Sequence, residues 1–167
     1  MAHFATDNAV FMAERLAACN PSPESKHLLA TAYHAAGETH RAYAVLMHST
    51  TTPKNRFLFA VCAYKIGKLQ DAENALINGG MGGMGEAAEA YCYNLLGMIC
   101  RSAGRCSLAI EYFEKALTLQ PALWCAYEAI CQLGGDVEPG HFFQEDAMMA
   151  ANASAISARV AASGGHA

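Results

Sequence analysis

Residues 90–121 read AYCYNLLGMICRSAGRCSLAIEYFEKALTLQP, and this stretch decides the fold. Its apolar residues recur every three or four positions, which is the spacing that one face of an α-helix requires. Gly104 interrupts the pattern, and glycine is favoured just past the end of a helix. Gly97 and Ala109 stand on either side of this break, and small residues allow two helices to cross closely. The stretch therefore predicts two helices that fold back on each other, with Gly97 facing Ala109.

The same residues resemble the 34-residue tetratricopeptide repeat, which is one helix pair. The positions that carry the resemblance, and that we expect to pack the repeat, are Tyr93, Leu96, Gly97, Ala109, Phe113, Ala116 and Pro121. Two weaker copies precede it, with Leu29, Ala30, Tyr33 and Ala42 in the first and Phe59, Ala60 and Ala72 in the second. The resemblance implies an all-α fold, a right-handed superhelical array of antiparallel helix pairs.

The breaks between apolar segments define the expected organisation of the chain. A repeat domain is predicted over residues 1–135, with an opening helix at 7–19, repeats at about 23–49, 53–79 and 90–121, and a further helix at 122–133. Thr6 or Asp7 is a suitable N-cap for the opening helix. Trp124 is predicted to pack against the repeats as a core or cap aromatic. Residues 136–167 are expected to form a turn and an Ala-rich tail, partly helical or frayed.

The composition excludes several classes of protein. The 167 residues are 53% hydrophobic and 16% charged, whereas disordered chains are poor in apolar residues. A net charge of −4 gives no basic surface for nucleic acid. No apolar run approaches the length that a bilayer requires, and no secretory signal is visible at the N-terminus. Seven cysteines, all but Cys106 within apolar helical patterns, are typical of reduced intracellular thiols that serve as small hydrophobic residues.

The sequence has no motif that indicates catalysis, a metal site or a cofactor. Residues 80–85 match G-x-G-x-x-G, but they follow a helix, and Arg101 and Arg105 stand where a dinucleotide site needs an acid. We therefore expect a loop between helices at residues 79–85. His27 and His34 are two helical turns apart and do not form a metal site by themselves. The prediction is a protein without enzymatic activity, cofactor, metal or small-molecule substrate.

The expected binding surface is the concave wall that the first helix of each repeat lines. Five of its positions are apolar or aromatic: Phe57, Val61, Tyr64, Tyr91 and Met98. A monomer rarely leaves such a wall in water. Two occupants remain open at this point, a helix of a partner or a segment of the same chain, either the N-terminal helix or the tail.

Three segments, before, within and after the repeats, indicate a more specific family. NAVFMAERL at residues 8–16, LLATAY at 28–33 and PALWCAYEAIC at 121–131 are similar to the N-terminal domain of the third subunit of the anaphase-promoting complex. Together these motifs extend from Thr6 to Pro139. The glycine-rich segment at 79–85 departs from the family in length and composition.

This second resemblance implies a role in the cell cycle. The family is a non-catalytic scaffold within a mitotic ubiquitin ligase, present in nucleus and cytoplasm, and its partners are the other subunits of that complex. It also implies a two-fold homodimer in which the opening helix of one copy lies in the groove of the other. The interface residues would be Phe11, Met12 and Leu16 on the helix, and Phe57, Val61, Tyr64, Tyr91 and Met98 in the groove.

The alternative is a generic peptide-binding adaptor of the kind found in chaperone assemblies. Such grooves present basic and amide side chains that hold a peptide carboxylate. The candidates here are Lys54, Lys65, Asn94 and Arg101, which are diluted by aromatic residues. No nucleic acid and no membrane is expected as a partner in either case.

Overall fold

The computed structural model describes residues 2–79 and 85–142, and in these residues the secondary structure is entirely helical. The helices are α1 (Ala2–Cys19), α2 (Pro23–Ala35), α3 (Thr39–Leu46), α4 (Pro53–Lys65), α5 (Leu69–Asn78), α6 (Glu86–Ser102), α7 (Cys106–Leu119), α8 (Trp124–Gln132) and the short α9 (Pro139–Phe142). The chain divides into two compact units, Met1–Met81 and Gly82–Ala167. The predicted all-α fold is confirmed.

Helix α1 begins earlier than the sequence predicts. It starts at Ala2 instead of Asp7, so Thr6 and Asp7 lie inside the helix and neither is its N-cap. Alanines lie on both sides of Thr6 and Asp7, at positions 2, 5, 9 and 13, and alanine is the strongest helix former. This composition extends the helix past the polar pair that we took for its start.

The first helix of each pair ends in the same turn. Its glycines have φ values of +82°, +80° and +75° at Gly37, Gly67 and Gly104. After the first of them, the Glu38 N–H donates to the Tyr33 carbonyl at 2.8 Å, which closes the helix end in a Schellman arrangement. Helix α8 ends in the same way, since Gly134 has φ +76° and the Gly135 N–H donates to Ile130. Helix α8 is therefore built like the first helix of a further repeat.

In the first unit, α2 packs on α3 and α4 packs on α5, and α1 packs on α2. The residues expected to pack these two repeats are buried: Leu29, Ala30, Tyr33, Ala42, Phe59, Ala60 and Ala72. Small side chains on the facing sides leave room for the large ones, as close packing of helices demands.

In the second unit, α7 packs between α6 and α8. Leu96, Gly97, Ala109, Phe113, Ala116 and Pro121 are buried there, and Tyr93 is half-buried. The Tyr93 ring stacks on Tyr112 with centroids 6.2 Å apart. This unit also holds two of the three buried cysteines, Cys92 and Cys100.

Gly97 lies against Phe113 of α7. A Cβ placed on Gly97 would lie 2.5 Å from the ring of Phe113, and its three nearest atoms all belong to that ring. The small residue at 97 therefore makes room for a fully buried aromatic side chain. Ala109 is buried one turn earlier on α7, and its approach to Gly97 stays a prediction.

Several further expectations have a mixed outcome. Cys62, Cys92 and Cys100 are buried, but Cys19, Cys125 and Cys131 are exposed, although their apolar helical surroundings predicted burial. Cys125 and Cys131 lie on the outward side of α8, whose inward side is filled by Ala126, Ala129 and Ile130. Cys19 is the last residue of α1. The loop expected at residues 79–85 and the tail expected at 136–167 fall largely outside the described residues, at 80–84 and 143–167.

Candidate interaction surface

Helix α1 presents an apolar stripe to solvent. Phe11, Met12 and Leu16 are 53%, 60% and 44% exposed, and their spacing places them on one face of the helix. The opposite face packs on α2 and includes the buried Ala13. Arg15 lies on the exposed face as well, with its guanidinium carbon 5.6 Å from the centre of the Phe11 ring. These four residues are called the α1 stripe below.

Three polar side chains fix α1 to the first repeat, and we call them the α1 clamp: Glu14, Tyr33 and Arg41. The Tyr33 hydroxyl donates to Glu14 Oε1 at 2.6 Å, and Arg41 Nη2 donates to the same oxygen at 2.8 Å. Arg41 Nη2 also donates to the Tyr33 hydroxyl at 2.7 Å, and its guanidinium lies 4.1 Å from the centre of the Tyr33 ring. One residue from each of α1, α2 and α3 is thereby joined in one network.

The titration behaviour of the α1 clamp reflects these contacts. Burial, together with the hydrogen bond to the Glu14 carboxylate, raises the pKa of Tyr33 to about 12. The same hydrogen bond from Tyr33, with the nearby guanidinium of Arg41, lowers the pKa of Glu14. At neutral pH the carboxylate is ionised and the phenol is protonated, which is the state that the network requires.

The inner side of the first unit combines aromatic and polar groups from α2 and α4. Phe57, Val61 and Tyr64 are half-buried along α4. His34 Nε2 lies 3.2 Å from Lys65 Nζ, and burial followed by the charge of Lys65 lowers the pKa of His34. The imidazole is therefore neutral at pH 7 and accepts from the ammonium group.

Cys62 is the thiol nearest to a histidine in this unit, with Sγ 4.0 Å from His34 Nδ1. Burial raises the pKa of Cys62 to about 11, so the thiol stays protonated at neutral pH. A thiol attacks as the thiolate, and this pair therefore lacks the activation that a nucleophilic cysteine needs.

The two remaining groove residues lie in the second unit. Tyr91 is 50% exposed, and Met98 is half-buried beside a cavity of about 240 Å³ between α6 and α8. Apolar atoms form the larger part of its lining, and Asn94, Arg101 and Gln132 add polar groups. Arg101 Nη1 donates to Gln132 Oε1 at 3.3 Å. The surface around Met98 thus combines an apolar lining with three polar side chains.

Trp124 does not pack in the core. It is 60% exposed at the start of α8, and its ring lies tilted against Tyr127 at 5.2 Å. Trp124 stands ten residues before the turn glycine Gly134. The residues at the same distance before the turn glycines of the three repeats are His27, Phe57 and Asn94. Trp124 thus occupies the position that faces the groove in a repeat, and the expectation of a core or cap aromatic is wrong.

Sequence reasoning missed the α1 clamp. Tyr33 was assigned only to repeat packing, and neither Glu14 nor Arg41 was assigned a role. The available signal was the placement of an acid on the otherwise alanine-rich inner face of the opening helix, since buried or half-buried charges are usually paired.

Among the described residues, no group of three or more histidine, cysteine, aspartate or glutamate side chains could hold a metal ion. Over the same part of the chain, no helix is long and apolar enough to cross a bilayer.

Comparison with known proteins agrees with this architecture. The profile of the family described as "Anaphase-promoting complex, cyclosome, subunit 3" matches residues 2–79, and that of a tetratricopeptide repeat matches residues 86–123. Both are families of non-catalytic helical-repeat proteins.

The chain is also similar to curated proteins named cell division cycle protein 27 homologues. The chain is 34% identical over 152 residues to the human cell division cycle protein 27 homolog, covering 85% of the chain and 18% of that protein. It is 37% identical over 147 residues to the Arabidopsis thaliana cell division cycle protein 27 homolog B, covering 88% of the chain and 20% of that protein. The chain thus spans about a fifth of the length of these relatives.

Solved structures show a similar fold. A crystal structure of MamA has a TM-score of 0.68 at 23% identity, covering 77% of this chain and 76% of that one. The crystal structure of the anaphase-promoting complex hetero-tetramer Cut9–Hcn1 has a TM-score of 0.66 at 22% identity, covering 86% of this chain and 31% of that one. At these identities the likeness concerns the fold alone.

Proposed function

The chain belongs, through residues 2–79, to the family of subunit 3 of the anaphase-promoting complex, and on that premise we propose that it is a homodimerising scaffold domain of this cell-cycle ubiquitin ligase. Its partners are a second copy of itself and other subunits of the complex. It takes no small-molecule substrate, nucleic acid or membrane, and it acts inside the cell, in nucleus and cytoplasm.

The observation that carries the proposal is the α1 stripe. A helix with three large apolar side chains in water, each at least 44% exposed, has an unfavourable surface unless another apolar surface covers it. The α1 clamp holds the other face of the helix on its own repeat, so the stripe is presented outward in a fixed orientation. It is therefore suited to enter a groove of a second molecule.

The groove that receives the stripe is assigned to Phe57, Val61 and Tyr64 of the first unit. Tyr91 and Met98 of the second unit are proposed as separate contacts of the dimer. In a two-fold dimer each contact occurs twice, because both copies present the same patch. A single substitution therefore removes two equivalent contacts at once.

The test is a mass measurement by light scattering coupled to size exclusion. The wild-type chain, of 17.7 kDa, is expected to elute at twice that mass. Leu16→Glu and Tyr64→Glu are expected to elute as monomers, because each places a charge in an apolar contact. Ile77→Glu is the matched control, since Ile77 on α5 is 49% exposed and lies outside the proposed interface.

A second candidate function is a peptide-binding adaptor. The cavity lined by Asn94 and Arg101, with the exposed Trp124 on the neighbouring helix, favours it. A monomeric wild-type chain that binds acidic peptides, and loses them on Arg101→Ala, would establish this alternative and remove the dimer.

A further inference from the structure

A pair of aromatic side chains lies on α8, in the second unit. Trp124 is 60% exposed, and its ring lies against that of Tyr127 with the centroids 5.2 Å apart. The buried residues of this helix are Ala126, Ala129 and Ile130. With 3.6 residues per turn, Trp124 lies on the side of α8 away from these three residues, and Tyr127 lies between the two sides. Most of Trp124 thus remains accessible to solvent, at a place that the core does not reach.

The repeat pattern indicates the role of this side of α8. Helices α6 and α8 both end at a turn glycine with positive φ, Gly104 and Gly134. Asn94 stands ten residues before Gly104, and its Oδ1 lies 3.9 Å from Cys125 Sγ on α8. Trp124 stands ten residues before Gly134. Trp124 therefore occupies the position through which α6 contacts the first helix that follows it, so this side of α8 is suited to be covered by a further element.

The element that covers α8 has to bring small side chains. In the three repeats, the residue seven positions before the turn glycine is small: Ala30, Ala60 and Gly97. Gly97 leaves room for the Phe113 ring of the second helix of its pair. In α8 the same position holds Tyr127, which is large. Because close packing needs small residues opposite large ones, the small residues have to come from the covering element.

The segment that follows the described residues has this composition. Val137 and Phe142 pack against the core that α7 and α8 form, so the chain continues from a point beside this core. Each further residue adds up to about 3.3 Å of length, so the segment can reach α8 within a few residues. Residues 147–162 include eight alanines, four larger apolar residues and a single charged residue; the larger apolar residues are Met148, Met149, Ile156 and Val160, and the charged one is Arg159.

We propose that residues 147–162 cover Trp124 and Tyr127. The alanine side chains come close to the two rings, and the larger apolar side chains fill the space beside them. The contact is made within one chain and within the second unit, so it does not depend on the proposed homodimer. A partner protein that packs on this side of α8 then has to displace residues 147–162.

The fluorescence of Trp124 tests this contact, because Trp124 is the only tryptophan of the chain. We expect the 167-residue chain to emit at a shorter wavelength than a chain that stops after Phe142. Acrylamide should also quench the emission of the longer chain less strongly, because the segment keeps the quencher away from the indole. Identical emission maxima and quenching constants in the two chains would overturn the proposal.

A substituted full-length chain serves as the second measurement, and it decides the test if circular dichroism shows that the shortened chain is unfolded. Ala151→Asp combined with Ala155→Asp places two charges among the alanines, and its emission should move to longer wavelength. Ser163→Asp combined with Ala167→Asp is the matched control outside residues 147–162 and should leave the emission unchanged. An unshifted emission of the first variant, or an equal shift of the control, would contradict the proposed contact.

The same readout separates this contact from self-association. Leu16→Glu, which is expected to be monomeric, should keep the emission of the wild-type chain, because the covering segment belongs to the same molecule. An emission that moves in Leu16→Glu as far as in the shortened chain would show that a second copy covers Trp124, and it would overturn the proposal while supporting the dimer. A monomeric wild-type chain would remove the dimer and leave the fluorescence test unaffected.

Discussion

At the residue scale, the contact between Gly97 and Phe113 determines how closely α6 and α7 approach. The Phe113 ring is fully buried and lies where a side chain at 97 would begin. Helical propensity alone would favour alanine over glycine at this position by about 1 kcal/mol. The presence of glycine therefore reflects the space that the aromatic ring occupies.

We predict that Gly97→Ala destabilises the protein by roughly 1–3 kcal/mol through overpacking, despite its better helix propensity. Urea unfolding followed by circular dichroism measures the effect. The double variant with Phe113→Leu should lose this penalty, since the smaller side chain makes room for the added methyl group. A Gly97→Ala protein as stable as wild type would contradict the close contact.

At the element scale, the α1 clamp determines whether the opening helix belongs to the folded domain or detaches from it. Ala13 is buried among the residues described in this helix, and Val10 and Ala17 are half-buried. The hydrogen bonds that Glu14 accepts from Tyr33 and Arg41 add to this apolar contact. Charged hydrogen bonds of this kind are stronger than neutral ones.

We predict that Tyr33→Phe loosens α1 by about 1–2 kcal/mol, because it removes a hydroxyl that bonds to an ionised carboxylate. Hydrogen exchange should become faster in α1 and stay unchanged in α4 and α5. Tyr43→Phe is the matched control, since the Tyr43 hydroxyl donates to Asp71 at 2.7 Å, between α3 and α5. Equal effects of both variants on α1 would show that the clamp has no local role.

Some features of these helices could be predicted from the sequence and others could not. The helix pairs could be predicted, because periodicity and turn glycines are local signals. Trp124 was expected to be a core or cap aromatic, because large aromatic side chains usually pack, but its distance from Gly134 places it at an outward position of α8. The α1 clamp could not be predicted, since Glu14 and Arg41 are far apart in sequence and meet only after α1 packs on the first repeat.

At the scale of the whole molecule, the proposed dimerisation would make the stability of the fold depend on protein concentration. Association that occurs only between folded chains stabilises the folded state by mass action. The α1 stripe and the inner side of α4 would then be exposed in the monomer and covered in the dimer, so the two proposed surfaces contribute to folding stability only when two chains meet.

We predict that the thermal midpoint of the wild-type chain rises by roughly 2 °C for each tenfold increase in protein concentration. Leu16→Glu should remove this dependence, because its monomer gains nothing from a second chain. Differential scanning calorimetry at several concentrations provides the measurement. A wild-type midpoint that is independent of concentration would count against self-association.

The attachment of α1 to its own first repeat also has a kinetic consequence. In the proposed dimer, Glu14 of each copy stays bonded to its own first repeat, so the two copies would associate without exchanging segments. Dissociation of this dimer would then require no unfolding of either chain. When two differently labelled samples are mixed, their subunits should therefore exchange at the dissociation rate of the dimer, before the chains unfold.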